Sequence, residues 1–207
     1  MGLAPDLLNE NFDVITSWAD GDADTAVSEI DPAGQLRLDT NLGAAGNAEA
    51  IRNKVIASPP NLFTVEIQVY CDDIGTLANS DYLRFAYSTA TWTFRVAFAS
   101  NGLFVYKTAG GTTEVGADIV AEATLQLWRF QVNKTAGEAS ATVEAFLNNV
   151  SQGTVDCDYE LARTNGQVDI RQIGWNTDNM VSHVYYIRIA TGLGAINDTS
   201  NPQILIF

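Results

Sequence analysis

The sequence predicts an all-β domain, a sandwich or barrel of short antiparallel strands, and three observations predict it. Between Tyr82 and Val120 the segments YLRFAYS, TWTFRVAFAS, GLFVYKT and GTTEVGADIV follow one another with Gly and Asn between them, a spacing of about 8 to 12 residues that marks consecutive strands. From Leu125 to Gly153 the chain reads as a hairpin. Gln126, Trp128, Phe130 and Val132 alternate with Leu125, Leu127, Arg129 and Gln131, a polar Gly-containing connection follows, and Val143, Ala145 and Leu147 then alternate with Thr142, Glu144 and Phe146. A two-residue period places such sets on opposite faces of a sheet. Finally, 207 residues with 46% hydrophobic content, four Trp, seven Tyr and nine Phe supply a core for one large β domain over 1–207.

Taken in order, a short helical or irregular lead is followed by NENFDVI (Asn9 to Ile15), read as an opening Phe strand. Trp18 and the acidic loop DGDADTAVSEID come next, then the strand GQLRLDTN from Gly34 to Asn41. Pro59-Pro60 forbids a helix and feeds the chain extended into LFTVEIQVYC, because proline fixes φ and biases its predecessor away from the helical region. After the hairpin, which NNVSQG closes, GTVDCDYEL, QVDIRQIGW and VSHVYYIRIA read as the last strands. The tail 192–207 ends in ILIF, and four exposed apolar residues would invite aggregation. The tail is therefore expected to pack on the body or on a neighbour.

The aromatic strand, the loop and the second strand ending in Asn148-Asn149 resemble the signature hairpin of the concanavalin A-like lectin/glucanase sandwiches, including laminin G-like modules. The order of an opening Phe strand, Trp18 and a loop before a Gly-led strand is similar, as is the closing VSHVYYIRIA. The resemblance runs over about residues 9–191. It implies a two-sheet antiparallel jelly-roll β-sandwich.

Charge narrows the partners. Twenty-five acids against 11 bases give a formal net charge of −14, which repels phosphate backbones and anionic membranes. No apolar run approaches the roughly 18 residues of a membrane span, and MGLAPDLLNENF has neither the basic nor the apolar region of a secretory signal. Neither nucleic acid nor membrane insertion is expected. Cys71 and Cys157 are expected as two buried thiols, with a bridge open if their strands neighbour each other. Asn133, Asn149 and Asn197 each begin an Asn-x-Ser/Thr triplet, a pattern that is common by chance.

For catalysis the sequence offers little. A retaining glycosidase needs two carboxyl groups about 5 to 5.5 Å apart, and the sandwich glucanases that the chain resembles carry them as Glu-x-Asp-x-x-Glu. Here Glu29-Ile-Asp31 is followed by Pro32 and Ala33, with Gly34 where the second Glu would stand. The Arg-rich and Gln-x-His strands of alginate lyases are missing too. His183 is the single histidine, and Ser182 beside it faces the other side of the strand, so the two form no nucleophilic pair. No catalytic residue is assigned.

Two constellations remain. Asp20, Asp22, Asp24 and Asp31 occupy positions 1, 3, 5 and 12 of an EF-like loop, with Val27 at 8 but Thr25 at 6 where the turn demands Gly. Hard oxygen donors of this density suit calcium, the one cofactor suggested, while the plain alternative is a solvated acidic turn. Arg84, Arg95, Arg129, Arg171 and Arg188 fall mid-strand in a chain short of positive charge. With Tyr70, Tyr82, Tyr186 and Trp175, and with Glu66, Gln68 and Asp169 as alternating partners, Arg84, Arg95, Arg171 and Arg188 define a polar sheet face. Such a face either binds a sugar polymer or an acidic glycan through Arg forks and Tyr rings or is a cross-strand ion ladder. Trp92 and Trp128 sit among other aromatics and are expected in the core.

Three roles follow. The first is a non-catalytic structural or adhesive module of an extracellular assembly such as a phage virion surface protein (capsid decoration, head-fibre or tail), partnered by copies of itself, with a trimer as one form, by other virion proteins, or by cell-surface glycans. The second is a soluble carbohydrate-binding module, and the third a glycoside hydrolase or polysaccharide lyase with an atypical site. The expected location is the virion surface or the extracellular space.

Overall fold

The computed structural model describes residues 2–41, 48–108, 111–117, 120–175 and 179–197, the side chains of Asn79 and Ala117 excepted. In chain order the strands are β1 (Leu8–Glu10), β2 (Ala19–Asp20), β3 (Val27–Ile30), β4 (Leu36–Asp39), β5 (Ala48–Val55), β6 (Leu62–Asp73), β7 (Tyr82–Ser88) and β8 (Thr93–Ala99), then β9 (Gly102–Lys107), β10 (Gly111–Ala117), β11 (Leu125–Asn133), β12 (Thr142–Leu147), β13 (Val150–Asp156), β14 (Gln167–Gly174) and β15 (Val181–Thr191). They form two sheets. An eight-stranded sheet runs β13-β12-β11-β6-β15-β4-β3 with β1 also on β15, and a seven-stranded sheet runs β10-β9-β8-β7-β14-β5-β2. Every ladder between these strands is antiparallel.

The two-residue period decides what lies between the sheets. Phe63, Val65, Ile67 and Val69 of β6 and Trp128, Phe130 and Val132 of β11 point inward from one sheet. Leu83, Phe85 and Tyr87 of β7 and Phe94, Val96 and Phe98 of β8 meet them from the other. Trp128 and Phe130 stack with an interplanar angle of 4°, and Phe94 and Phe98 approach Phe130 at 5.6 and 6.2 Å, distances at which aromatic pairs attract. The Trp92 indole N–H donates to the Cys157 carbonyl at 2.8 Å, satisfying a buried donor.

The β11–β12 hairpin forms as its alternation predicts. Its connection is pinned by Glu138, whose carboxylate accepts from the Thr89 and Thr91 hydroxyls at 2.9 and 2.7 Å. Three expectations change. The opening strand stops at Glu10, because Phe12 adopts φ 57° and turns the chain while its ring stays fully buried against Trp18. The acidic loop contains β3, since Val27 to Ile30 can ladder with β4. The turn of NNVSQG is confined to Asn148-Asn149, with φ of 49° and 68°, and Val150 already belongs to β13. Two positive φ values in succession suit a tight hairpin turn with the sheet's twist.

Both cysteines are buried and free, Cys71 2% and Cys157 0% exposed. Burial pushes the Cys71 thiol up to about 11 and raises Cys157 as well. Of the tail, Ile196 is buried and bridges in parallel to Leu3. Residues 198–207, including ILIF, lie outside the described residues. Among the described residues no helix is long and apolar enough to cross a membrane.

Candidate glycan-binding face

The outer face of the seven-stranded sheet gathers four of the expected residues, Tyr82, Arg84, Arg95 and Arg171. Register sets Arg84 opposite Ala97, Arg95 opposite Ala86, and Arg171 opposite Arg84, with Ile173 opposite Tyr82. Tyr82, Ala97, Ala99, Phe104 and Ile173 form a second apolar cluster here, separate from the main core, with Leu77 and Tyr106 packed against it. A sheet's outer face with its own buried apolar floor is not a simple solvated surface.

Charge is laid over that floor in two arrangements. Arg84 donates to Asp169 at 3.0 Å, Arg171 donates to the other Asp169 oxygen at 3.3 Å, and Arg171 also reaches Glu49 at 2.5 Å. Burial alone would raise the Asp169 carboxyl, but Arg84 and Arg171 beside it hold it below its ordinary value. Arg95 is held by rings instead. Its guanidinium lies 4.0 Å from the centre of Tyr106 and 5.7 Å from that of Tyr159, distances typical of cation–π contact.

Tyr106 and Tyr159 complete an aromatic wall. Their rings are 5.6 Å apart at 50°, and the Tyr106 hydroxyl donates to the Tyr82 hydroxyl at 3.3 Å. Burial raises the Tyr106 hydroxyl well above its ordinary value, so it stays protonated. Tyr159 comes from the segment after β13, which is held beside β8 by the Thr93 N–H on the Tyr159 carbonyl and the Thr93 hydroxyl on the Leu161 carbonyl, both at 3.0 Å. At the end of β14, Asp81 accepts the Trp175 N–H at 2.7 Å, and the Trp175 side chain is 53% exposed.

The expected single face divides in two. Tyr82, Arg84, Arg95 and Arg171 share the seven-stranded sheet, with Trp175 just past the end of β14, whereas Tyr70, Tyr186 and Arg188 lie on the outer face of the eight-stranded one. There Arg188 rests 4.0 Å over the Tyr186 ring, both residues are buried, and the Ile196 N–H donates to Glu66 at 2.9 Å as the chain returns over them. Burial and Glu66 push the Tyr186 hydroxyl up to about 12. Tyr70 packs edge-on to His183 at 6.2 Å. Alternation alone cannot tell the outside of one sheet from the outside of the other, which is why the set looked continuous in sequence.

The aspartates of the acidic loop are engaged with different groups, although the Asp22 N–H donates to Asp20 at 2.9 Å. Asp20 pairs with Arg52 at 3.2 Å. Asp22 accepts from the Ser28 N–H and hydroxyl at 2.7 Å and from the Ile51 N–H at 2.6 Å, so its oxygens already bind the strands together. Asp24 sits at φ 60° in the turn between. Asp31 caps its own turn through the Ala33 and Gln35 N–H groups and faces His183 at 3.0 Å, while Asp72 stands 3.2 Å from the other ring nitrogen. Among the described residues no group of three or more His, Cys, Asp or Glu is gathered as a cation site requires. Ser182 points inward and donates to Gln172 at 2.6 Å, away from His183.

Sequence reasoning missed Tyr106, Tyr159 and Glu49. Tyr106 alternates outward in GLFVYKT and was legible; the expected strand GTVDCDYEL ends at Asp156 instead of running through Tyr159, and only the tertiary fold brings that ring in.

No protein-family model and no curated protein matches this chain. Solved structures do match in fold. A sialidase gives a TM-score of 0.65 at 9% identity, covering 91% of this chain but 19% of its own. An endo-β-1,4-glucuronan lyase from Trichoderma reesei gives 0.59 at 6% identity over 88% of this chain and 94% of its own. A Lotus tetragonolobus seed lectin gives 0.59 at 10% identity over 90% and 98%. The chain has the concanavalin A-like jelly-roll fold, and spans about a fifth of the sialidase's length.

Proposed function

We propose that this chain is a glycan-binding β-sandwich module whose binding face is the outer side of β7, β8, β9 and β14. The observation that carries the reading is the pair of rings Tyr106 and Tyr159 standing beside Arg95 over the buried apolar floor to which Tyr82 belongs, with Arg84 and Arg171 alongside. Rings offer the apolar faces of a sugar a stacking surface, and guanidinium forks bind its oxygens. A lectin and a polysaccharide lyase among proteins of the same fold support the class. Binding without catalysis is the simpler chemistry for a face where two arginines are engaged by acids and the Tyr106 hydroxyl stays protonated.

An immobilised glycan array probed with the full chain tests this. Trp175→Ala changes a residue that is 53% exposed and Tyr106→Phe removes a single hydroxyl, and at least one is expected to weaken binding several-fold; a blank array for the wild type defeats the reading. Display on a virion or another extracellular assembly is the setting that a net charge of −14 suits. Light scattering tests that part, with a trimer or larger assembly expected and a monomer counting against it. Release of reducing ends or unsaturated sugars from any polysaccharide would replace binding by catalysis.

A further inference from the structure

We infer that Arg95 is the docking point for the carboxylate of an acidic sugar, a deepening that rests on the glycan-binding reading of the same face. Three arginines stand on this face, and the acids account for two of them: Asp169 takes Arg84 and Arg171, and Glu49 takes Arg171 again. Among the described residues Arg95 makes no ion pair. Its only polar contact there is a long one, 3.5 Å from Nη1 to the Tyr159 hydroxyl; the Nε is buried without a partner in Arg84, Arg95 and Arg171 alike, so what sets Arg95 apart is a guanidinium end that no acid engages.

On this face a guanidinium without an acid is the exception, and the chain has acids to spare, 25 against 11 bases. The guanidinium is nonetheless held in one place, 4.0 Å from the Tyr106 ring and 5.7 Å from the Tyr159 ring. Rings fix the plane of the fork without consuming its hydrogen-bonding capacity. A preset planar fork is matched to a carboxylate, which accepts two parallel N–H bonds. Neutral sugars offer hydroxyls that any polar side chain can bind, so they give no reason to keep this one cation free of acid. Uronates and sialic acids both supply the carboxylate beside an apolar ring face.

Calorimetric titration of the full chain with polyglucuronate, with alginate and with sialyllactose, each beside its carboxyl-reduced counterpart, is the test. At least one acidic probe is expected to bind ten-fold or more tighter than its reduced form, with affinity falling as NaCl rises. The uronate and sialyl arms identify which source supplies the carboxylate. Arg95→Lys, which keeps the charge and the ring contact but not the fork, is expected to lose ten-fold on the acidic probe and little on the reduced one. Equal affinity for acidic and reduced probes overturns the carboxylate assignment while leaving glycan binding intact. Failure to bind any glycan overturns both. The wild-type comparison decides the matter even if an Arg95 variant unfolds.

Discussion

Asp169 holds Arg84 at 3.0 Å with one carboxylate oxygen and Arg171 at 3.3 Å with the other. One acid on β14 therefore fixes two cations, and Arg84 and Asp169 are only 4% and 5% exposed. Removing one partner of a buried pair leaves the other charge uncompensated, at a cost of roughly 3 kcal/mol. Asp169→Asn is expected to lose about that much, read as a lowered urea midpoint at unchanged slope. Because the carboxyl is held below its ordinary 3.8, its stabilisation is present above that value and is lost as pH falls through the lowered one. The variant should lack this part of the acid limb.

Glu66 has the opposite sign. Burial raises its carboxyl above the ordinary 4.5, although the Ile196 N–H, Arg129 and Arg188 pull it back. A raised folded value means that its contribution is whole below 4.5 and is lost as pH rises through the folded value. Glu66→Gln imitates the protonated form, and the amide oxygen can still accept the Ile196 N–H. Stability of the variant minus that of the wild type is expected to grow between pH 4 and 7, measured as thermal midpoints; a flat difference would contradict the assignment.

The main core should respond as a packed aromatic cluster. Phe130 is fully buried and meets Trp128, Phe94 and Phe98. Phe130→Ala is expected to cost about 3 to 5 kcal/mol from lost transfer and the cavity left, with near-UV circular dichroism reporting the loosened Trp128. A loss under about 1 kcal/mol would mean that the sheets close over the gap.

How much of this was legible follows from what each signal encodes. The period of two located Trp128 and Phe130 inside and Arg84 and Arg171 outside, since alternation is local. It could not tell that Tyr70, Tyr186 and Arg188 look away from Tyr82 and Arg95, because both sheets have an outer face and strand order is a long-range property. The density of Asp20, Asp22 and Asp24 suggested a cation, yet Asp22 is engaged by Ser28 and by Ile51, a residue of a different strand. Alternation in GTVDCDYEL puts Tyr159 on the face of the buried Cys157, but β13 ends at Asp156 and that period stops before Tyr159. Tyr159 reaches the face because Thr93 anchors its backbone.

Gly166 offers the sharpest test of backbone geometry. It adopts φ +76°, where a Cβ would fall 2.1 Å from the Ile56 carbonyl oxygen, and backbone cannot step aside as a flexible side chain can. The same residue joins three strand ends, its carbonyl accepting the Ile56 N–H at 2.9 Å and its N–H donating to the Ser88 carbonyl at 2.8 Å. Gly34 shares the conformation, φ +80°, with nothing within 4 Å of the same Cβ. Gly34→Ala should therefore cost only the left-handed backbone term, about 1 kcal/mol. Gly166→Ala adds a collision and strains the ends of β5, β7 and β14, so it is expected to cost several times more. Urea midpoints of the two variants measure the difference; equal losses would show that the Ile56 carbonyl is free to move and that this junction does not hold the sheet.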